Sequence, residues 1–340
     1  MDVDQRRARR EARKRELVRR RARGLAAVAV LLVVVVLAVV LIATASTSKS
    51  GGAGNSANAT GKARGGSAVK HSTALGSSNG TSVASPNTST GTAGTARGRI
   101  GTESVPILMY HVINAPPGGA KFPGLYVPPE EFAAQMQALA HAGFHAVTMD
   151  QMLANWTRGT PLPAGKPIVL SFDNGYQSQY TQALPVLRRL GWVGVENIQL
   201  TGLPPSQGGL SQAQISGLVS DGWELDTQGV SHAELTTLNP AALHEQVESA
   251  RGKLQRRYHV PVNWFCYPSG HYNAAVIAEV KAAGYVGSTT VVPGWASPTE
   301  DPYRLPRLRV LGGTSPQELL GELAAIRSNP PPPTSYEAGE

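Results

Sequence analysis

Ile168-Val169-Leu170-Ser171-Phe172-Asp173-Asn174-Gly175-Tyr176 is the stretch on which the fold turns. Its apolar half has the composition of a strand buried on both faces, which belongs to a parallel sheet covered by helices. It then runs directly into a carboxylate, an amide and a glycine. Asp-Asn-Gly is a common turn in its own right. In parallel barrels, however, reactive side chains gather where strands end and loops begin, because that rim brings several strands to one pocket.

Working outward, short apolar runs alternate with amphipathic stretches from Val105 onward, the pattern of βα units. Strands are expected at Val105 to Tyr110, Ala146 to Thr148, Pro167 to Phe172, Val193 to Leu200, Trp223 to Asp226, Trp264 to Tyr267 and Val286 to Thr290. About seven strands suggest a barrel. Pro129 and Glu130 open a helix that puts Phe132, Met136 and Leu139 on one face and stops at Gly143. Asn239-Pro240 opens another, running to about Tyr258.

Three more segments carry polar groups at such ends. Trp223-Glu224-Leu225-Asp226-Thr227-Gln228-Gly229-Val230-Ser231-His232 sets an amide and an imidazole four residues apart. Phe265-Cys266-Tyr267-Pro268-Ser269-Gly270 is a strand stopped by proline, with Leu305-Pro306-Arg307 following later. Met109-Tyr110-His111 stands at the start. Each is weak singly. The single cysteine, Cys266, reads as a small buried apolar residue. Trp192, Trp223, Trp264 and Trp295 offer sugar-stacking surface or, as most tryptophans do, core.

The formal charge of +8 is almost wholly a tail. Residues 1–24 hold ten Arg and one Lys against four acids, whereas residues 103–340 hold fourteen basic against nineteen acidic residues. The latter balance argues against nucleic acid as a partner. Residues 25–45 are an uncharged run of 21, rich in Val, Leu and Ala and long enough to cross a bilayer as a helix. Ala43-Thr44-Ala45 has the small-residue spacing of a cleavage site, but the apolar run exceeds the roughly 7–15 residues of a signal core. The expected organisation is a basic cytoplasmic tail (1–24), a membrane anchor (25–45), a disordered Gly/Ser/Thr/Ala linker (46–103), an extracytoplasmic domain (104–325) and a Pro-rich tail (326–340). A linker of this kind has a reach on the order of 40 Å.

Taken together and in order, these segments resemble the polysaccharide deacetylase family, also called the NodB-homology or carbohydrate esterase 4 family. The likeness runs from about Val105 to Val310 and includes Val105-Pro106-Ile107-Leu108-Met109-Tyr110-His111, the strand ending in Asp173, the Trp-Glu strand before His232, His232-Ala233-Glu234-Leu235, the Tyr-Pro-x-Gly turn and Leu-Pro-Arg. The resemblance implies a distorted (β/α)7 barrel that removes acetyl groups from a cell-envelope polysaccharide or peptidoglycan, using zinc. Residue by residue, it places Asp173 as general base, His111 as general acid and His232 as a metal ligand, with Phe172, Tyr267, Pro268, Gly270 and Arg307 around the substrate.

The family pattern breaks at two ligand positions. The ligand aspartate is Asn174 here, and the first ligand histidine is Gln228. Zinc takes thiolate, imidazole and carboxylate, and neutral amides surrender charge and basicity. Three outcomes follow for the site. Asp226 or Glu196 completes an altered zinc site; a harder metal that accepts amide oxygens replaces zinc; or the domain binds glycan or an envelope protein without catalysis.

Overall fold

In a computed structural model, the structure describes residues 100–201, 203, 208–327 and 331–337. The expected basic tail, membrane anchor and most of the linker lie outside the described residues. Among the described residues, no helix is long and apolar enough to cross a membrane.

The domain is an α/β unit: β1 (Val105–Tyr110), α1 (Pro129–His141), β2 (Phe144–Ala146), α2 (Met149–Arg158), β3 (Lys166–Asn174), α3 (Leu184–Leu190), β4 (Val195–Ile198), α4 (Gln212–Ser220), β5 (Glu224–Thr227), α5 (Pro240–Tyr258), β6 (Trp264–Cys266), α6 (Ala274–Ala282), β7 (Gly287–Thr289), β8 (Trp295–Ala296), β9 (Leu308–Arg309) and α7 (Pro316–Ala325). The sheet runs β7-β6-β5-β4-β3-β1-β8, with β2 beside β3 and β9 beside β1. All pairings are parallel except β1 with β8. The sheet curls into an α/β half-barrel. Segment 305–309 reaches from the β7 edge to β1, since Leu305 bridges to Thr289 of β7 while Leu308 and Arg309 pair with β1.

Helix boundaries follow local chemistry. Thr148 and Gln151 form a reciprocal capping box at α2, which ends where Gly159 turns left-handed. Asn239 caps Ala242 N–H and Pro240 starts α5, which ends at His259 with φ 56°.

Strand alternation sorts side chains into two layers. Leu108, Tyr110, Leu170 and Phe172 pack outward with Phe132, Met136, Leu187 and Trp223. Ile107, Val169 and Val195 face inward with Trp264 and Leu305. Trp192, Trp223 and Trp264 are core, and Trp295 donates to Leu323 O with Arg327 over its ring. None of the four offers a sugar-stacking face to the candidate site below.

The chain is already docked at Gly101, whose N–H donates to Asn155 O, and Trp156 Nε1 donates to Glu103 O. At the other end, residues 331–337 return to the domain: Tyr336 bridges and stacks on Tyr272, while Arg304 and Tyr272 donate to Pro332 O and Pro333 O.

Asp226 is fully buried, and its Oδ1 accepts the backbone N–H groups of Asn263 and Trp264. Beside it, Glu224 accepts Asp150 N–H, and Asp150 accepts Asn263 Nδ2 and the Trp264 indole. Burial raises Glu224 and Asp226 above the ordinary carboxylate range, and the charge of Asp226 raises Glu224 further. The folded state thus keeps a proton that the unfolded chain releases. The stability this confers is full below about pH 4 and is lost as pH rises through the folded values. Asp226→Asn keeps the acceptor and offers Glu224 a donor. It is expected to raise the thermal midpoint at pH 8 and flatten its decline between pH 5 and 8. An unchanged pH 8 midpoint would mean that no proton is shared.

Candidate active site

Strand ends β1, β3, β5 and β6 converge on a cavity of about 590 Å³. His111, Asp173, Asn174, Gln228, His232, Tyr267 and Gly270 line it, as do Lys121, Phe122, Leu125, Tyr176, Ser269, Arg309 and Leu311. A larger cavity of about 760 Å³ lies on the flank beside α4 and the end of α5. Among the described residues that line it, the ionisable side chains are Lys253, Arg256, Arg257 and Tyr258, with neither carboxylate nor imidazole. The carboxylate of Asp173 and the imidazoles of His111 and His232 meet at the smaller one.

Asp173 faces inward from β3, 1% exposed. Arg307, itself fully buried, grips both carboxylate oxygens at 2.8 and 2.9 Å. The same guanidinium also donates to Ser171 Oγ, Thr290 O and the Cys266 sulfur. Asn197 Nδ2 adds a third bond to the carboxylate, at 2.8 Å. Burial alone would raise the carboxyl, but the guanidinium and Asn197 overcome it and hold the value at about 2. Asp173 is thus a fixed anion, and Arg307 is its counter-ion behind the pocket wall. Cys266 touches both partners, and burial pushes its thiol up to about 12.

Gln179 sets the two strand ends in register. From a π-helical turn, Gln179–Ala183, its Nε2 donates to the carbonyls of both His111 and Asp173 at 2.9 Å. Burial lowers His111 to about 4 against the attraction of Asp173, and its Nδ1 is buried without a partner. At neutral pH it is an uncharged imidazole. Burial lowers His232 as well. It keeps Tyr176 a phenol, pushed up to about 12.

Backbone strain concentrates here. Of four non-glycine residues at left-handed φ among those described, three line the cavity: Asn174 (80°), His232 (53°) and Ser269 (56°). Such conformations cost on the order of 1–3 kcal/mol and persist where their surroundings impose them. The fourth, His259, caps a helix.

Other expected neighbours of the substrate lie elsewhere. Phe172 is fully buried in the outward layer, stacked on Tyr110 at 5.7 Å and on Trp223 at 4.9 Å. Pro268 lies buried outside the cavity lining, and Arg307 acts on Asp173 instead of reaching substrate. Tyr267 and Gly270 do line the cavity.

The donor set does not fit zinc. Asn174 turns its Nδ2 to Gln199, Gln228 Oε1 is buried without a partner, and His232 supplies the one imidazole at the ligand positions. Neither proposed substitute lines the cavity. Asp226 is bound at the start of β6, and Glu196 lies on the sheet face that carries Phe172 and Leu225, both oxygens without partners. Burial and the charge of Asp173 keep Glu196 protonated well above the usual range. Among the described residues, no group of three His, Cys, Asp or Glu is arranged to hold a metal. Two neutral amides and one imidazole leave the ion's charge unbalanced. The double variant Asn174→Asp/Gln228→His is therefore expected to retain about one equivalent of zinc through gel filtration, where the parent retains well under half. Equal metal content in the two would overturn this.

The sequence model of the polysaccharide deacetylase family matches residues 162–288. "Putative polysaccharide deacetylase YxkH" of Bacillus subtilis (strain 168) is 29% identical over 212 residues, 62% of this chain and 73% of that protein. The poly-beta-1,6-N-acetyl-D-glucosamine N-deacetylase of Escherichia coli (strain K12) is 39% identical over 61 residues, 18% of this chain and 9% of that one. Among solved structures, the Streptococcus pyogenes deacetylase PplD, in complex with acetate, superposes with a TM-score of 0.60 at 25% identity, covering 66% of this chain and 99% of that one.

Proposed function

We propose that this chain, whose residues 162–288 match the sequence model of the polysaccharide deacetylase family, hydrolyses acetyl groups from amino sugars of a cell-envelope glycan. The non-peptide C–N bond is the one broken. In this reading residues 25–45 span the membrane, residues 1–24 stay in the cytoplasm and the domain works outside. The 21 uncharged residues flanked by the Arg-rich segment support that topology.

The observation that carries the chemistry is the convergence of a neutral His111 and an anionic Asp173 on one cavity. Family resemblance gives the base to Asp173, but both its oxygens are engaged by Arg307 and Asn197. The work then falls to His111 as a proton carrier. It takes a proton from the attacking water and delivers it to the departing amine, while acetate leaves with the water's oxygen. The fixed Asp173 charge favours the transient imidazolium. Gln228 and the Tyr176 phenol are neutral donors for the developing oxyanion.

A second reading is favoured by Asn174 and Gln228: the domain binds acetylated glycan without turnover. Incubating the purified full chain with N-acetylated and O-acetylated glycans and measuring acetate separates the two. Steady release supports hydrolysis. Binding with no release, with and without added zinc, supports the second reading and defeats the first.

A further inference from the structure

The cavity mouth has a charge that the chemistry at its floor does not require. Two segments form one side of it, 121–125 and 309–312, joined by the hydrogen bond from Gly312 N–H to Gly124 O. Their close approach requires glycine at 312, where a Cβ would lie 2.0 Å from Tyr126 O. Each segment presents one exposed cation, Lys121 and Arg309, and one exposed apolar side chain, Phe122 (59% exposed) and Leu311 (44%). The Lys121 ammonium sits 5.1 Å from the Phe122 ring centroid. Among the described residues neither cation has a carboxylate within ion-pair distance. Among the described residues, the one acid lining the cavity is Asp173, which lies at its floor paired with Arg307. A mouth of net charge about +2 thus opens in a region, residues 103–340, where acids outnumber bases.

We propose that this mouth selects an acetamido sugar that carries, or adjoins, a carboxylate or phosphate, with Lys121 and Arg309 holding the anion and Phe122 and Leu311 covering the apolar face of a ring. Cations rimming a cleft attract a ligand of opposite sign, and an aromatic face suits the C–H side of a pyranose. The inference rests on the glycan reading of the cavity and names the class of glycan.

The test measures binding of three probes to the purified full chain at low salt: chitopentaose, which is neutral; a peptide-free peptidoglycan strand, which carries lactyl carboxylates; and a phosphodiester polymer bearing N-acetylglucosamine. At least one anionic polymer is expected to bind about tenfold more tightly per site than chitopentaose, consistent with two exposed ion pairs. Which of them does so identifies the anion. Lys121→Gln and Arg309→Gln should each reduce that preference about threefold, and 0.5 M salt should abolish it. Equal affinity for all three probes overturns the proposal and leaves the glycan reading standing. No binding of any probe by folded protein removes both.

Discussion

Arg307→Met is expected to lower the unfolding free energy at pH 7 by about 3–5 kcal/mol, the cost of stranding a buried charge. Arg307 is fully buried and its guanidinium makes five hydrogen bonds, to Asp173 (two), Ser171, Thr290 and Cys266. Methionine fills similar space but leaves the Asp173 carboxylate with Asn197 as its strongest remaining partner. Two further measurements isolate the cause. First, Asp173→Asn/Arg307→Met should recover much of the loss, because two neutral groups need no counter-charge. Second, the gap should close in acid. Asp173 has a folded value depressed to about 2, so its stabilisation is present above about pH 4 and is lost as pH falls through 2. Denaturant unfolding at pH 7 and pH 3 reads both. A gap of undiminished size at pH 3 would show that packing, and not charge, is what Arg307 contributes.

His111→Asn is expected to do the converse, leaving the fold and removing the chemistry. Acetate release should fall by 10²–10⁴-fold, the usual contribution of a positioned proton carrier. The imidazole is desolvated and its Nδ1 is unpartnered, so its loss costs the fold little. The sign of its pH linkage is fixed by the lowered folded value of about 4. The folded state takes up its proton later than the unfolded chain, so stability is full above about pH 6.5 and declines toward pH 4. The variant should decline less over that window. Release within threefold of the parent would take His111 out of the reaction.

Much of the fold was legible because its causes are local. The helix opened by Asn239-Pro240 runs to Tyr258 as its cap and proline imply, and β1 spans Val105–Tyr110 as its apolar run suggests. Strand ends were less legible. The run from Val193 pairs only over Val195–Ile198, because register with β3 and β5 decides where the ladder stops. Ser269 and Gln179 carry no signal in the text: one is a backbone conformation, the other a long side chain reaching two carbonyls from a π-turn.

Phe172 and Arg307 show where reading the chain ends. The resemblance places Phe172 beside the substrate, yet strand alternation sends it to the face opposite Asp173, and it stacks in the helical layer. Arg307 had the look of a substrate contact, and it is the buried counter-ion of a residue 134 positions away. The sequence by itself determined the parallel α/β architecture and the two amides, Asn174 and Gln228, at ligand positions of the family it resembles, because periodicity, capping and residue chemistry are properties of short segments. Only the tertiary structure decided that Asp173 is a locked anion, that Asp226 and Glu196 are out of reach and that two cations rim the mouth. Burial and ion pairing depend on which distant side chains share a volume from which water is excluded.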